Sequence, residues 1–210
     1  QTRDGGYLYS DNDGIAKVGS NGEIEWTNKK YRDLTDAIEH SNGYYYLVSE
    51  ALEHKTAKGK VYKFNSKGKK IWIKGFGRGC YREEFNSIIE SSDGELIIVG
   101  AKSHGNKFFS CTFEWYDDAW IIKVDADNGA KIWEETYGEK NFEQFEDIVR
   151  NPNGGYYAIG TACNKKNPPE AGDLCAKNMS ALWMKIDESG NSLGKKHFTN
   201  GPNQTGFSIT

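Results

Sequence analysis

No run of apolar residues in this chain approaches the roughly 20 needed to span a bilayer as a helix, which excludes a membrane-crossing helix. Neither sign of charge dominates: 27 Lys and Arg face 30 Asp and Glu, a net of −3. There is no basic excess for nucleic acid and no polyanionic tail. The sequence holds no GxSxG, no HExxH and no glycine-rich phosphate loop, so the common signatures of hydrolases and nucleotide enzymes are missing. The four histidines (His40, His54, His104, His197) are scattered and no CxxC pair exists, which argues against zinc. Proline is scarce, with 4 residues, whereas glycine is abundant at 24 and aromatics reach 13%. Many glycines among aromatic and β-branched residues describe short strands joined by tight turns. At 210 residues the chain is long enough for one domain with a sizeable core.

The four cysteines form an even set. Cys163 and Cys175 bracket an insertion, NKKNPPEAGDL, without apolar periodicity. A disulfide across such a loop contributes about 3 kcal/mol in the chain-entropy model. Cys80 and Cys111 are then the second pair. Asn178-Met179-Ser180 and Asn203-Gln204-Thr205 are glycosylation sequons, which matter only in a secretory eukaryotic host. No signal peptide is visible, and a start on Gln1 rather than Met reads as a processed or trimmed product. With the cysteines, it points to a secreted or cell-surface protein.

Four copies of one unit run along the chain. One half is a hairpin with a small polar turn and a Trp four residues after the turn glycine: GIAKVGSNGEIEW (Gly14 to Trp26), KVYKFNSKGKKIW (Lys60 to Trp72) and AWIIKVDADNGAKIW (Ala119 to Trp133). The fourth, ALWMKIDESGNSLG (Ala181 to Gly194), has Gly194 where the Trp belongs; its Leu193 matches Ile71 and Ile132. The other half is a second hairpin: Leu34 to Glu50, Phe85 to Ala101 and Phe145 to Thr161. Its fourth copy is split between the termini, Phe207-Ser208-Ile209-Thr210 followed by Gln1-Thr2-Arg3-Asp4-Gly5-Gly6-Tyr7, with no residue missing at the join.

Each unit is therefore four short strands. Radial repetition of such units is a β-propeller, because each blade alone leaves two apolar faces wet and stacking covers them. The expected fold is all-β: a four-bladed β-propeller of four-stranded antiparallel blades, with the ring closed by the C-terminal strand joining the N-terminal blade. The expected blades of this single domain are 207–210 plus 1–31, 34–76, 85–138 and 145–199. Trp26, Trp72 and Trp133 are expected to pack between blades, each burying roughly 150–250 Å².

The pattern DGGY…DxWIIKVDxxxGxxxWxxxYG…FxxI resembles the bacterial-type propeller repeats often called Delta-60-like. These occur in exported and cell-surface proteins and are distantly similar to quinoprotein-type and kelch-type repeats. The resemblance covers nearly the whole chain. It is best from Asp118 to Thr161 and poorest in NSLGKKHF, which has lost the Trp and the YG. It implies fold and export. The family shares no catalytic residues, so it implies none here, and four units would make an unusually small ring.

Aligning the inner strands puts Asp36, Ser87, Asp147 and Ser208 at one position, in the order Asp, Ser, Asp, Ser around the ring. Two carboxylates facing each other across a narrow channel must share a proton, find donors or hold a cation. Such an oxygen-rich site suits Ca²⁺, Mg²⁺ or Mn²⁺; the alternative is that the four residues cap backbone N–H groups. Asp125-Ala126-Asp127-Asn128-Gly129 has its glycine fifth rather than sixth, so it reads as a hairpin turn and not a calcium loop. The segment from Phe108 to Asp118 gathers five aromatics and three acids before a third strand. Within it, Phe113, Trp115, Tyr116 and Asp117 either bind a glycan, a small molecule or a protein, or fold back over the blade edge.

Three readings stand. The first is an exported, non-catalytic binding or surface-interaction module, monomeric, with or without an axial divalent cation. The second is a metal-dependent enzyme, redox with Mn²⁺ or hydrolytic, built on the axial Asp pair. The third is a structural segment of a longer repeat array. Whether any catalysis occurs is left open by the sequence.

Overall fold

The computed structural model describes residues 1–11, 14–31, 33–49, 58–77, 83–103, 117–138, 142–163, 179–199 and 204–210. Among them every regular element is a β-strand, and the strands form four antiparallel meanders in chain order. The first sheet holds β1 (Tyr7–Asp11), β2 (Gly14–Val18) and β3 (Ile24–Asn28). The second holds β4 (Leu34–Glu39), β5 (Tyr45–Ser49), β6 (Gly59–Phe64) and β7 (Lys70–Phe76). The third holds β8 (Glu84–Glu90), β9 (Leu96–Ser103), β10 (Asp117–Val124) and β11 (Lys131–Tyr137). The fourth holds β12 (Glu143–Arg150), β13 (Tyr156–Cys163), β14 (Met179–Ile186) and β15 (Ser192–Phe198). No helix among the described residues is long and apolar enough to cross a membrane.

The middle strands are continuous apolar runs because both of their faces are covered. In β9, Leu96 and Ile98 pack into a cluster shared with the second sheet, while Ile97 and Val99 pack into one shared with the fourth. A third cluster joins Ile15, Leu8 and Trp26 of the first sheet to Tyr45, Leu47, Tyr62 and Phe64 of the second. The three cores thus lie between successive sheets, which is the stacking of a β-propeller-like fold.

A β-bulge recurs in every outer hairpin. Lys63 pairs with Trp72 and Phe64 with Lys70, so Ile71 has no partner. Ile132 and Leu193 are left over in the same way, as is Glu25. The extra residue turns outward, so Ile71, Ile132 and Leu193 are exposed. Each following Trp turns onto the next sheet. Trp26 donates its indole N–H to Ser66 O (3.0 Å) and Trp72 to Asp127 O (2.9 Å). Their rings lie on turn glycines: a Cβ on Gly68 would sit 2.5 Å from Trp26 Cε3, and one on Gly129 would sit 3.3 Å from Trp72 Cη2. Trp133 meets Gly190 equivalently, at 3.0 Å. The expected structural role of the three tryptophans holds.

Closure is where the described structure differs from expectation. The first sheet has three strands, and residues 204–210 form no strand pair with β1. The tail's backbone donors are spent on the fourth sheet: Gln204 N–H on Met179 O and Gly206 N–H on Gly160 O, both at 3.1 Å.

Candidate functional site

A second bulge aims the inner-strand side chains. Register shifts fall between Leu34 and Asp36, Phe85 and Ser87, and Phe145 and Asp147, leaving Thr35, Asn86 and Glu146 as the extra residues. The bulged backbone swings close to the neighbouring strand, where Gly100 and Gly160 leave room; a Cβ on either would lie 1.9 Å from a carbonyl oxygen. The bulge directs Thr35 and Asn86 onto the next sheet. Thr35 Oγ1 donates to Phe85 O, and Asn86 Nδ2 donates to Phe145 O at 2.7 Å. Sequence reasoning missed these two bridges. Their signal was a polar residue just before three of the four aligned residues (Thr35, Asn86 and Glu146), with the strand-borne Gly100 and Gly160 opposite two of the bulges.

The aligned set itself forms one chain of hydrogen bonds. Asp36 Oδ1 accepts the Ala37 N–H (2.7 Å), and Asp36 Oδ2 accepts from Ile88 N–H (2.9 Å), with Ser87 Oγ at 3.1 Å. Asp147 Oδ1 accepts from Ile148 N–H, with Ser87 Oγ also at 2.9 Å. Asp147 Oδ2 accepts from Ser208 Oγ and Ile209 N–H, each at 3.0 Å. Asp147 therefore grips the tail as Asp36 grips β8. Burial pushes the Asp36 carboxyl above its ordinary range; the Ile88, Ala37 and Ser87 donors oppose this and the Asp147 charge adds to it.

The donor set fits capping better than a divalent cation. Each carboxylate oxygen already faces a backbone N–H, whereas Ca²⁺ wants 6–8 oxygens at about 2.3–2.6 Å. No group of three or more His, Cys, Asp or Glu suited to a metal occurs among the described residues. The turn from Asp125 to Gly129 is a hairpin turn, with Asp125 Oδ1 accepting the Asp127 and Asn128 N–H groups.

Of the rim residues, Asp117 is buried at the start of β10 and accepts a hydrogen bond from Ser103 Oγ. Phe113, Trp115 and Tyr116 lie outside the described residues, as do Cys80, Cys111 and Cys175. Cys163 ends β13, buried, and no cysteine among the described residues is a free thiol.

The sheets and their stacking define an all-β, β-propeller-like protein. No family model and no curated protein matches the chain. The crystal structure of a protein of unknown function from Bacteroides caccae is similar in fold, with a TM-score of 0.52 and 13% identity, over 92% of this chain and 58% of that one. This chain thus spans a little over half the length of that protein. The crystal structure of the eukaryotic initiation factor superposes with a TM-score of 0.45 at 10% identity, over 95% of this chain and 44% of that one.

Proposed function

We propose that the chain is an exported, non-catalytic binding or surface-interaction module. The observation that carries this is the saturation of Asp36 and Asp147 by donors from neighbouring sheets. The groups best suited to chemistry serve to staple one sheet to the next. What varies between copies is the connection leading into β2, β6, β10 and β14. It is residues 12–13 in the first sheet and residues 104–116 and 164–178 in the third and fourth. These connections leave the sheets at one end, where a rigid scaffold presents variable loops. In this reading Phe113, Trp115 and Tyr116 contact the ligand, the buried Asp117 anchors the start of β10 beneath them, and a Cys163–Cys175 disulfide closes the neighbouring loop.

The test pairs elemental analysis with a glycan array. We expect substoichiometric metal, a thermal midpoint unchanged by EDTA, and array binding that is lost in Trp115→Ala. Stoichiometric metal that disappears in the Asp36→Asn, Asp147→Asn double variant would replace this reading with the metal-dependent enzyme.

A further inference from the structure

Carboxylates tie together the turns of successive inner hairpins. Glu39, Glu90 and Arg150 hold one place in the repeat: each makes the last pair of its hairpin, with Tyr45, Leu96 and Tyr156 respectively. Glu39 Oε2 accepts the backbone N–H of Arg3 at 2.6 Å, and Glu90 Oε2 accepts that of Ser41 at 2.8 Å. Each donor stands in the turn of the preceding sheet, just ahead of Asp4-Gly5 or Asn42-Gly43. Ser92 stands at the same place in the third sheet, ahead of Asp93-Gly94.

The fourth sheet breaks the series. Where a carboxylate belongs beside the Ser92 N–H, it offers the Arg150 guanidinium. Among the described residues the Ser92 N–H has no acceptor, and Arg150 makes no hydrogen bond or ion pair. A cleft of about 390 Å³ opens at this junction, with Ser92, Arg150, Asn151, Gly154 and Glu188 in its walls. The two sheets that supply the walls share one core, so the cleft lies between covered sheets and not on an open flank. Its other polar groups are spent. Asn151 Nδ2 donates to Gly154 O at 2.8 Å, and its Oδ1 accepts the Asn153 N–H at 3.1 Å. Glu188 accepts from Gly155 N–H (2.9 Å), Tyr156 OH (2.7 Å) and Ser92 Oγ (3.3 Å). These donors, Gly155 first, hold its carboxyl below the ordinary range against the opposing effect of burial.

We propose that this cleft binds the carboxylate of an α-amino acid or of a polypeptide C-terminus, held by the Arg150 guanidinium and the Ser92 N–H. The ligand's carboxylate takes the place that the chain's own Glu39 and Glu90 fill at the two preceding junctions. A guanidinium presents a planar fork that matches a carboxylate. The backbone N–H adds a donor whose counterparts at Arg3 and Ser41 already meet carboxylate oxygens. The volume suits a ligand of this size. Glu188, ionised in the same cleft, answers the ammonium of a free amino acid. The site goes beyond the binding-module reading. It lies at the end of the sheets opposite the connections into β10 and β14, so its failure leaves that reading standing.

The probes are L-alanine, N-acetylalanine and alaninamide, titrated into the ¹⁵N-labelled full chain. Expected are saturable shifts at Ser92, Asn151 and Gly154 with the two carboxylates, and affinity lower by about tenfold or more for alaninamide. Tighter binding of alanine assigns the free amino acid, and tighter binding of N-acetylalanine assigns the chain end; either supports the site. Arg150→Glu restores the residue type of Glu39 and Glu90. It should abolish the shifts and slow amide exchange at Ser92, because the new carboxylate accepts that N–H. Equal binding of alaninamide, no shifts at Ser92, or undiminished binding in Arg150→Glu overturns the proposal. The alaninamide comparison needs no protein variant, so it decides the matter even where Arg150→Glu folds poorly.

Discussion

Tyr45 and Tyr7 hold the same place in two copies of one repeat, and their surroundings differ completely. Tyr45 is 5% exposed, in the third core cluster with Trp26, Leu47 and Phe64; Tyr7 is 54% exposed. The same contrast separates β10, buried along its whole length, from its counterpart β14 in the fourth sheet, whose residues alternate between half-buried and buried. The repeat thus fixes each strand's conformation, while burial depends on whether a further sheet stands beside it. Stability should accordingly be concentrated in the junctions of the second, third and fourth sheets.

The largest test of that contrast is Phe85→Ala. Phe85 is fully buried, stacked 4.7 Å from the Trp120 ring and pressed against Gly59. Truncation there should cost about 3–5 kcal/mol, read from urea unfolding. Tyr7→Ala on the open flank should change stability by less than about 0.5 kcal/mol. Comparable losses at both sites would mean that the first sheet's outer face is covered in solution.

Next in size is Trp72→Phe. The ring is largely kept, but the N–H donated to Asp127 O is lost and the carbonyl is left to solvent. The expected loss is about 1 kcal/mol. A null result would show that the ring's contact with Gly129, and not the hydrogen bond, holds the junction.

Much of this architecture was legible before any coordinates. The hairpins, their turn glycines and the inter-sheet tryptophans follow from residue identity at fixed spacing, because a turn at φ between 71° and 96° favours Gly wherever it recurs. The alignment of Asp36, Ser87, Asp147 and Ser208 also put four side chains together that the fold does connect. What residue spacing did not reveal was the direction in which they point. A bulge shifts alternation by one residue, so Asp36 reaches Ile88 of the next sheet, a contact no period-two reading yields. The partners of the strand lysines depended on the neighbouring turn. Lys123 reaches back to Asp93 at 2.6 Å, but where that turn offers Asn42, Lys63 goes forward to Ala126 O at 2.9 Å. Closure rested on terminal sequence alone, and the tail's donors turned out to face the fourth sheet.

A smaller effect should separate the axis from the surface by its pH dependence. The folded state holds the Asp36 carboxyl above its unfolded value, chiefly through burial. The folded protein then binds the proton more tightly than the unfolded chain, so this contribution is complete below the unfolded value and is lost as pH rises through the raised one. Asp93 runs the opposite way. Its Lys123 hydrogen bond holds the carboxyl low, so its contribution is present above the unfolded value and is lost on acidification through the lowered one. Asp36→Asn should therefore flatten the fall in stability on the alkaline side of the Asp range, and Asp93→Asn should flatten the fall on the acid side. Parallel profiles for the two variants would contradict the assignment.

The smallest expected effect bears on the tail. Ile88 and Ile209 make the same contact, an N–H donated to an Asp carboxylate of the preceding sheet, at 2.9 and 3.0 Å. Ile88 also lies inside β8, paired with Ile98 and buried in a core cluster. Ile209 is unpaired beyond its Asp147 contact, and its neighbour Phe207 is exposed. Proline removes the donor in either place. Ile88→Pro should prevent folding or lower stability severely, whereas Ile209→Pro should shift global stability by less than about 0.5 kcal/mol. It should instead raise amide exchange at Ser208 and Thr210, since local opening there no longer breaks the Asp147 hydrogen bond. A large global loss in Ile209→Pro would show that the tail is paired on both sides, which is the signature of a strand inserted beside β1 and of a closed ring.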